Sequence, residues 1–425
     1  MRIFITGASG FIGQNLLPAL LANGHEVIAS IRHPEIWQKR FPTVKWLQCD
    51  YNTDHDPQVW LFRLTNTDII INAVGIITET STQSFTNLHV KTPIALFKAA
   101  HQLGINKVLQ ISALGANKTA TSKYHITKYT ADEALLNLNP DAVVLQPSII
   151  VGKGGGSTTL FSAMAVLPFL PAIGQAKIQP ILINDVIAII LKLIQNWPSG
   201  GKRLELVGME AITLNQLLIL LRSWLKFPPT FTVRIPLLLI KITAKLNDWL
   251  KIGSLNSDTL GMLLKDNCAD PAPMIAATKI TPKLIAVGLQ NTPATTADRW
   301  YARLLLLQPL LKITLGLLWI FTGIISAFFY PVAESYKLLA ATGISGIFAP
   351  IMLYSAAALD IMLGIATLIS YKIRLVVSLQ LLVIMTYTII ISLFLPELWL
   401  HPFGAISKNI PLLVATLIML ILEEK

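Results

Sequence analysis

The chain has few charged residues and almost no cysteine. Charged residues make up 13% of its 425 positions, and Cys49 and Cys268 are its two cysteines. Two cysteines exclude a disulfide framework and a cysteine-based metal cluster, so we expect no metal site and a reducing compartment. Hydrophobic residues reach 53%, with a mean hydropathy of +0.60. These values exclude a disordered chain and exceed those typical of soluble enzymes.

The charges are unevenly distributed along the chain. Residues 301–425 hold only 7 of the 34 basic and 5 of the 23 acidic residues. Most of the net charge of +11 therefore belongs to the first 300 residues. Such an excess suits an acidic ligand or an anionic membrane surface. Because basic blocks with interleaved aromatic residues do not occur in the sequence, nucleic acid is not an expected partner.

The last quarter of the sequence contains four apolar stretches, at 306–329, 347–370, 375–396 and 410–422. The first three exceed the ~20 residues that a membrane-spanning helix needs. The fourth is shorter and requires tilt or local thinning of the bilayer. Helices buried in a soluble bundle are the alternative, which the lack of a recurring polar face disfavours. We therefore predict a four-helix transmembrane bundle.

Basic residues next to these stretches predict the orientation. The segment before the first stretch and the loop between the second and third would lie on the same side of the membrane. Their basic residues are Arg299, Arg303, Lys372 and Arg374. The other two loops carry only Lys337 and Lys408. The positive-inside rule then places both termini and the charged first part in the cytoplasm, in a multi-pass protein of the inner or cytoplasmic membrane. We expect no signal peptide, since the first residues run directly into a strand pattern.

Two charged residues, Lys312 and Asp360, lie within the apolar stretches. A charge inside the membrane usually faces a partner or a cavity. A Lys312–Asp360 ion pair is therefore one hypothesis. The alternative for Lys312 is that it extends to the interface, since it lies near the cytoplasmic end of its helix.

A glycine-rich loop follows a short apolar strand pattern at residues 2–6 and precedes a helical pattern at 14–23. Gly7, Gly10 and Gly13 have the spacing at which small residues allow a tight turn, close approach of backbone to a pyrophosphate, and helix–strand packing. Backbone N–H groups at the helix start then bind the phosphates. This context predicts a dinucleotide site. The residues expected to bind here are Gly7, Ser9, Gly10, Phe11, Ile12 and Gly13.

The second predicted strand, at residues 26–31, indicates which dinucleotide binds. An acidic residue at its end would bind the ribose 2′-OH of NAD. The sequence has Ser30 there, followed by Arg32, whose guanidinium would pair with a 2′-phosphate. NADP is therefore favoured over NAD. After the third strand, Asp50 and Tyr51 are candidate contacts to the adenosine half, and the alternative for Asp50 is a turn cap.

The fourth predicted strand, at residues 68–73, leads into a loop that we expect to cover the cofactor. The carboxyl ends of parallel strands meet at one edge of a sheet, where ligands bind. The cofactor-binding candidates in this segment are Asn72, Ala73, Val74 and Gly75.

The predicted chemistry depends on Ser112, at the end of the fifth strand, and on Tyr124 and Lys128 in the following helix. The i,i+4 spacing puts the phenol and the ammonium on one helix face. A tyrosine has a pKa of ~10, and a nearby cation lowers it, so Tyr124 can exchange a proton with substrate oxygen. Lys128 can also bind the nicotinamide ribose, and Ser112 can orient the oxygen. Ser122 is a competing serine that we interpret as a helix cap.

These motifs resemble those of the extended or atypical short-chain dehydrogenase/reductases. Residues 88–90 and 111–116 narrow the resemblance to the branch that includes the Rossmann-type accessory subunit of respiratory complex I. The resemblance covers about residues 1–300 and implies a parallel sheet, bound NAD(P), and cofactor contacts at Pro147 and Ile149. This sequence departs from the pattern at Gln146, where many members have arginine, and at His89, where many have asparagine. His89 is either a packed helix residue or a substitute in the proton relay.

The final segment resembles the DoxX-like four-helix membrane family. Trp319, Gly323 and the stretch 359–364 carry that likeness. Some members of that family work with quinones. The resemblance thus implies a membrane domain and favours a quinone-type substrate.

A basic amphipathic pattern covers residues 231–252, with Arg234, Lys241, Lys245 and Lys251 among apolar residues and Trp249. Such a helix suits a membrane surface. A helix packed on the sheet is an equally supported alternative.

The expected fold is α/β, a Rossmann-type doubly wound parallel sheet with a smaller mixed C-terminal lobe, followed by a four-helix transmembrane bundle. The expected domains are an NAD(P)-binding domain at 1–155, a substrate lobe and helical linker at 156–300, and a four-span DoxX-like domain at 301–425. The apolar stretch 153–175 favours a lipophilic substrate.

We therefore expect a membrane-anchored NAD(P)H-dependent oxidoreductase acting on a lipophilic carbonyl, alcohol or quinone-type substrate at the cytoplasmic face. Its expected partners are that small molecule, membrane lipid, and a respiratory-chain protein or further copies of the chain. The first alternative is a non-catalytic NAD(P)-binding subunit that serves assembly or sensing in a respiratory complex. The second is a sugar-nucleotide epimerase or dehydratase.

Overall fold

The computed structural model describes residues 1–80, 82–250 and 257–423, except for the side chains of residues 246–250. Lys251 and the side chain of Trp249, which belong to the predicted amphipathic segment, lie outside the described residues. The chain forms two compact units, Met1–Ala302 and Arg303–Lys425.

The secondary structure of the first unit alternates strands and helices. The strands are β1 Arg2–Thr6, β2 Glu26–Ile31, β3 Lys45–Gln48, β4 Ile69–Asn72, β5 Val108–Ile111, β6 Val143–Pro147, β7 Ile150–Val151, β8 Leu170–Ala172, β9 Lys177–Ile178, β10 Ile181–Leu182, β11 Lys202–Leu206, β12 Ile212–Thr213 and β13 Thr232–Arg234. The helices are α1 Phe11–Ala22, α2 Pro34–Gln38, α3 Pro57–Arg63, α4 Thr92–Gln102, α5 Lys123–Leu138, α6 Gly156–Ala165, α7 Ile183–Gln195, α8 Leu214–Trp224, α9 Leu237–Leu250, α10 Ser257–Leu263, α11 Ala272–Thr278 and α12 Ile285–Asn291. A π-helical turn, Thr86–Lys91, precedes α4.

Seven strands form one sheet in the order β11-β6-β5-β4-β1-β2-β3, and all of their pairings are parallel. The connections reverse direction between β1 and β4, so the crevice for a ligand lies at the carboxyl ends of these two strands. Thr6 pairs with Ser30 on one side and with Asn72 on the other. The predicted doubly wound parallel sheet is confirmed.

The central strands consist of apolar residues because helices cover both faces of the sheet. Ile3 and Ile5 pack on one face with Leu16 of α1, whereas Phe4 packs on the other face with Trp60 of α3. All five side chains are fully buried. The two apolar layers hold the strand ends rigidly, which fixes the loops that form the site.

A smaller lobe completes the first unit. Three short strand pairs, β7–β10, β8–β13 and β9–β12, surround an apolar cluster. Phe161 of α6 and Leu217 and Leu221 of α8 are buried in this cluster. The start of α6 lies beside the glycine-rich loop, since a Cβ atom on Gly155 would lie 2.9 Å from the Phe11 ring.

The second unit is helical. Its helices are α13 Thr296–Ile324, which begins in the first unit, α14 Val332–Ala341, α15 Phe348–Leu368, α16 Ile373–Phe394 and α17 Asn409–Leu422, with a π-helical turn Ile325–Phe329 and a 3₁₀ helix Pro396–Leu400. Among the described residues, three helical segments of 34, 21 and 22 residues are long and apolar enough to cross a membrane. The 14 residues of α17 span only about 21 Å, less than a bilayer core. The predicted count of four spans is therefore approximate.

Glycines allow α13 and α15 to pack with their backbones in contact. A Cβ atom on Gly364 would lie 2.7 Å from the Gly316 carbonyl oxygen, and one on Gly323 would lie 2.6 Å from the Ala357 carbonyl oxygen. Small residues serve this role in membrane helix pairs. The Lys312 ammonium donates to the Ser370 hydroxyl. The Lys312–Asp360 pair stays a prediction.

Candidate active site

The glycine-rich loop is shaped by contacts that exclude side chains. Gly7 has φ +72°, and a Cβ atom there would lie 2.8 Å from the carbonyl carbon of Ala73. A Cβ atom on Gly13 would lie 2.3 Å from the Gly7 carbonyl oxygen. Gly10 caps α1 without a side-chain hydrogen bond, so the first backbone N–H groups of the helix remain available to an anion. This loop therefore fits the pyrophosphate of a dinucleotide.

A cavity of about 760 Å³ opens beside this loop. Its walls include the loop after β4, the loop after β5, the start of α5 and the segment after β6, as expected for the carboxyl edge of a parallel sheet. On the far side it is bounded by α6 and α10. The predicted cofactor residues that line the cavity are Gly10, Phe11, Ile12, Ala73, Val74, Gly75, Lys128, Pro147 and Ile149.

Ser112, Tyr124 and Lys128 all line the same cavity, so the structure brings the three predicted catalytic residues together. The Lys128 ammonium donates to the carbonyl oxygens of Ile111 at 3.0 Å and Val74 at 3.3 Å. It therefore connects the loop after β4 to the end of β5. A Cβ atom on Gly75 would lie 2.9 Å from the lysine nitrogen, which explains why a glycine suits that position.

The electrostatics of Tyr124 differ from the sequence-based expectation. Burial, assisted by the Asp132 carboxylate, raises the pKa of Tyr124 to about 12. Burial lowers the pKa of Lys128 to about 8, against the opposing effect of Asp132. The expected lowering of the Tyr124 pKa is wrong for these surroundings, because desolvation of the phenolate dominates. Tyr124 is thus a protonated donor at neutral pH.

Asp132 is a site residue that the sequence analysis missed. The Ser112 hydroxyl donates to Asp132 Oδ2 at 2.5 Å, and both residues are buried. Burial raises the pKa of Asp132 to about 6. Because its proton is directed to the carboxylate, Ser112 can only accept a further hydrogen bond. The i,i+4 spacing of Lys128 and Asp132 was the available signal, since it continues the face that Tyr124 begins.

Ser122 caps α5, as the sequence analysis expected. Its hydroxyl accepts from the His125 backbone N–H at 3.2 Å and lies 2.8 Å from His125 Nδ1. His125 lines the cavity together with Ser122. Burial lowers the pKa of His125, which favours a neutral ring beside the cavity. Ser122 and His125 are therefore further polar residues at the cavity, with no catalytic role predicted from the sequence.

His89 is packed beneath the site. It is 1% exposed, and its Nε2 accepts from the Ile76 backbone N–H at 3.1 Å. Its Nδ1 lies 3.1 Å from the Thr127 hydroxyl, and its ring meets that of Tyr124 edge-on with centroids 5.6 Å apart. Burial, followed by the Lys128 charge, lowers the pKa of His89 to about 2. These contacts match the packed interpretation and help to position Tyr124.

Two predicted cofactor residues belong instead to a buried polar network. The Asn72 side-chain oxygen accepts from Thr6 at 2.6 Å and from the Tyr51 hydroxyl at 2.8 Å. The Asn72 amide donates to the Gln110 side chain at 2.6 Å. Asn72 and Tyr51 are 0% and 5% exposed. Their side chains therefore support the strand ends from inside the protein, away from the cavity.

Asp50 forms a turn, the alternative interpretation of that residue. β3 ends at Gln48, before Asp50. Asp50 Oδ1 accepts from the Asn52 backbone N–H at 2.9 Å and from the Asn52 amide at 3.1 Å. Ser30 is 2% exposed within β2, whereas Arg32, immediately after the strand, is exposed. Arg32 is therefore the predicted cofactor residue whose charge is exposed at the end of β2.

Gln146 also lies inside the protein. It is 3% exposed, and its amide donates to the Ala116 carbonyl oxygen at 2.7 Å. It therefore holds the loop after β5 and does not line the cavity. Many members have arginine at this position. The buried Gln146 amide, which bonds to the backbone, is not placed to bind an anion in the cavity.

Two family models match the chain in separate regions. Residues 3–202 match the NAD dependent epimerase/dehydratase family, and residues 316–417 match the DoxX-like family. The chain thus contains an NAD-dependent epimerase/dehydratase-type domain followed by a DoxX-like domain. The expected combination of these two regions is confirmed.

Curated relatives match the first region. A mitochondrial NADH dehydrogenase [ubiquinone] 1 alpha subcomplex subunit 9 from Arabidopsis thaliana is 28% identical over 255 residues, which cover 58% of this chain and 63% of that protein. A ceramide reductase from Caulobacter vibrioides is 26% identical over 222 residues, 51% of this chain and 68% of that protein. The match thus spans about two thirds of each relative.

Solved structures share the fold of the first unit. A nucleoside-diphosphate-sugar epimerase from Staphylococcus aureus aligns with a TM-score of 0.55 at 16% identity, covering 68% of this chain and all of that one. A UDP-glucuronic acid 4-epimerase from Bacillus cereus, in complex with UDP-glucuronic acid and NAD, aligns with a TM-score of 0.52 at 17% identity, covering 72% of this chain. At these identities the likeness concerns the fold alone.

Proposed function

We propose that this protein is a membrane-anchored NAD(P)H-dependent oxidoreductase that acts on a lipophilic carbonyl, alcohol or quinone-type substrate at the cytoplasmic face of the membrane. The observation that carries the proposal is a set of apolar side chains among the residues that line the cavity. They are those of Leu114, Leu160, Phe161, Ile178, Met262 and Leu263, and polar side chains such as Lys265, Asp266 and Asn267 line the cavity beside them. We call the six apolar residues the apolar wall. Burial of apolar substrate surface against them is favourable.

The residues beside the apolar wall can manage the proton that carbonyl reduction requires. A bound dinucleotide would supply the hydride. Tyr124 holds a proton at neutral pH, because burial raises its pKa to about 12, and it can donate that proton to substrate oxygen. Lys128 holds the loop after β4 against the end of β5 through its two carbonyl contacts. Ser112 can accept a hydrogen bond from a substrate hydroxyl while it donates to Asp132.

The residues that would hold the dinucleotide are those of the glycine-rich loop and the loop after β4. We propose that the preferred form is NADP, because exposed Arg32 follows β2 directly and the carboxylate that would favour NAD is not at the strand end. Nicotinamide fluorescence of the purified full chain, titrated with NADPH and NADH, tests this choice. Tighter binding of NADH would contradict it.

The relatives support different aspects of the proposal. The name of the ceramide reductase indicates reduction of a lipid, which agrees with an apolar cavity. The sugar-nucleotide alternative is less well supported, because the described cavity-lining residues include no arginine. The two lysines among them, Lys128 and Lys265, already donate to backbone carbonyl groups and to the Thr121 hydroxyl, respectively. The complex I relatives instead support a non-catalytic role as a subunit of a respiratory complex.

A homologous series of methyl ketones tests the lipophilic substrate. Each additional buried CH₂ group contributes about 0.8 kcal/mol, so kcat/KM for NADPH oxidation is expected to rise about fourfold per carbon until the cavity is filled. Leu160→Asp should flatten this dependence, whereas Ile36→Asp, at an exposed position outside the cavity, should not. A rate independent of chain length would contradict the proposed substrate class.

The second candidate function is a non-catalytic NAD(P)-binding subunit of a respiratory complex. One observation favours it: the Ser112 hydroxyl donates to Asp132 rather than remaining a donor for substrate. Purification of the full chain from its native membrane distinguishes the two. Recovery in a large assembly, with dinucleotide bound and no turnover of lipophilic acceptors, would favour the subunit.

A further inference from the structure

Helix α9 exposes an apolar stripe beside two lysines. Leu238, Leu239 and Ile242 are 69%, 55% and 47% exposed. Lys241 and Lys245 are also exposed. We call these five residues the outer face of α9. Single exposed apolar side chains are common, but three of them within two helical turns form a patch that marks a contact surface.

The opposite face of α9 is packed against the protein. Ile240 is 5% exposed and Ala244 is 0% exposed, and both pack with Leu260 of α10. At 100° per residue, Leu238 and Ile242 follow one another on one side of the helix, and Lys241 and Lys245 follow one another next to them. The outer face is therefore directed away from the contact with α10. It is a continuous surface of apolar and basic side chains.

We propose that the outer face of α9 lies on the surface of a lipid bilayer that contains anionic lipid. Leucine and isoleucine side chains at this position can enter the region between headgroups and acyl chains, while neighbouring lysines bind lipid phosphates. Charge complementarity extends to Arg234, which is exposed just before the helix, and Phe231, which is 68% exposed, adds apolar surface.

A bilayer is the favoured partner of this face, because the chain has its own candidate membrane-spanning helices. Among the described residues, three helical segments are long and apolar enough to cross a membrane: Thr296–Phe329, Phe348–Leu368 and Ile373–Phe394. Because the first unit is covalently joined to them, the effective concentration of lipid surface at α9 is high. A second protein would have to compete with a surface that is always present.

The position of α9 gives this contact a functional consequence, which rests on the proposed function. α10, on which α9 packs, contributes Met262 and Leu263 to the wall of the cavity. A bilayer contact at α9 thus lies one helix away from the apolar wall. A lipophilic substrate can enter from the bilayer at this wall without crossing water.

Fluorescence quenching on the full chain tests the bilayer contact without measuring activity. Cys268 is the exposed cysteine, whereas Cys49 is buried, so a Cys268→Ser background allows one probe to be attached. An environment-sensitive fluorophore is placed at Leu238→Cys or, as a matched control, at Ile36→Cys, since Ile36 is 71% exposed in α2. Each protein is reconstituted in phosphatidylcholine vesicles containing phosphatidylglycerol, with a nitroxide on the acyl chain as lipid quencher and iodide as aqueous quencher.

The bilayer contact predicts that the probe at position 238 loses most of its fluorescence to the lipid nitroxide and is protected from iodide. The probe at position 36 should show the reverse. Quenching at position 238 by iodide alone would contradict the proposal, because the face would then lie in water. Protection from both quenchers would also contradict it, because a protein, such as a second copy of the chain, would cover the face.

Two changes test whether the lysines of α9 bind anionic lipid. Each lysine near an anionic surface strengthens association by about fivefold. Replacing phosphatidylglycerol by phosphatidylcholine, or introducing Lys241→Gln with Lys245→Gln, should therefore reduce nitroxide quenching at position 238. Unchanged quenching in both cases would remove anionic lipid from the proposal. These outcomes do not depend on turnover, so an inactive protein could still pass the test.

Discussion

The two sides of the cavity are built on different principles. On the side of the glycine-rich loop, the backbone itself forms the site, and Gly7 and Gly13 lie where a single added carbon would collide with main-chain atoms. On the side of α5, a network of buried side chains forms the site, with Lys128 bound to two carbonyl groups and Ser112 bound to Asp132. A backbone site depends on residue size, whereas a side-chain site depends on which partner each polar group finds.

The largest expected effect comes from a substitution in the glycine-rich loop, where the backbone forms the site. Gly7→Ala should destabilise the first unit by about 3 kcal/mol, combining left-handed strain with overpacking against Ala73, and should abolish dinucleotide binding. Gly24→Ala is the matched control, because Gly24 has φ +73° with no atoms near its Cβ position. Its expected cost is about 1 kcal/mol, from strain alone. Thermal unfolding and nicotinamide fluorescence measure both, and equal losses in the two variants would contradict the role of close packing.

The second-largest expected effect comes from a change in the side-chain network at α5. Lys128→Met should lower turnover by about 100-fold, since it removes the ammonium expected to bind the nicotinamide ribose and leaves the carbonyl groups of Val74 and Ile111 unpaired. Lys123→Met, an exposed position on the same helix, is the control and should retain activity. Steady-state NADPH oxidation measures both. Similar rates for the two variants would show that the ammonium does not act in the reaction.

A pH dependence tests the buried carboxylate. Because the pKa of Asp132 is raised to about 6, above the ordinary value near 4, the folded protein keeps this proton in a range where the unfolded chain releases it. Stability should therefore fall by about 3 kcal/mol as pH rises from about 4 through 6, and should be regained as pH falls over the same range. Asp132→Asn should remove this slope.

Unfolding midpoints of the first-unit transition across this pH range provide the measurement. Glu133→Gln serves as the neighbouring control, since that carboxylate pairs with Arg203 at the surface at 2.6 Å. The wild-type slope should persist in it. A slope that persists in Asp132→Asn would assign the titration to another group.

The smallest effect concerns cofactor choice on the backbone side. Arg32→Ala should weaken NADPH binding by about tenfold, the loss of one charge-assisted contact, and leave NADH binding nearly unchanged. Lys39→Ala, at an exposed position just after α2, is the control. Fluorescence titrations with both dinucleotides measure the difference. An equal loss for NADH would show that Arg32 does not contact a 2′-phosphate.

The same contrast explains how much the sequence predicted. The glycine spacing and the apolar strands predicted the sheet and its ligand-binding edge, because both follow from backbone geometry that leaves a pattern in the chain. The partners of individual polar side chains were harder to predict. Asn72 and Tyr51 bond to each other inside the protein, and Ser112 bonds to Asp132. The members of these pairs are 21 and 20 positions apart. Helix spacing could therefore point to Asp132 but not to its bond with Ser112.

The pKa of Tyr124 illustrates a second limit. The i,i+4 spacing correctly placed Lys128 on the same helix face and at the same cavity, which suggested a lowered pKa. The balance between attraction and desolvation depends on burial by residues from other elements, such as Phe85 and His89, whose rings meet that of Tyr124. In the second unit, apolar length alone predicted the long helices but not the short α14.

A single-turnover experiment tests the central claim most directly. The full chain in lipid–detergent micelles is loaded with one equivalent of NADPH, mixed with a long-chain ketone, and followed by nicotinamide absorbance, for the wild type and for Tyr124→Phe. We predict that the wild type oxidises its dinucleotide in one exponential phase and that Tyr124→Phe, with NADPH still bound, is slower by about 100-fold or more. Equal rates in the two proteins would contradict the account.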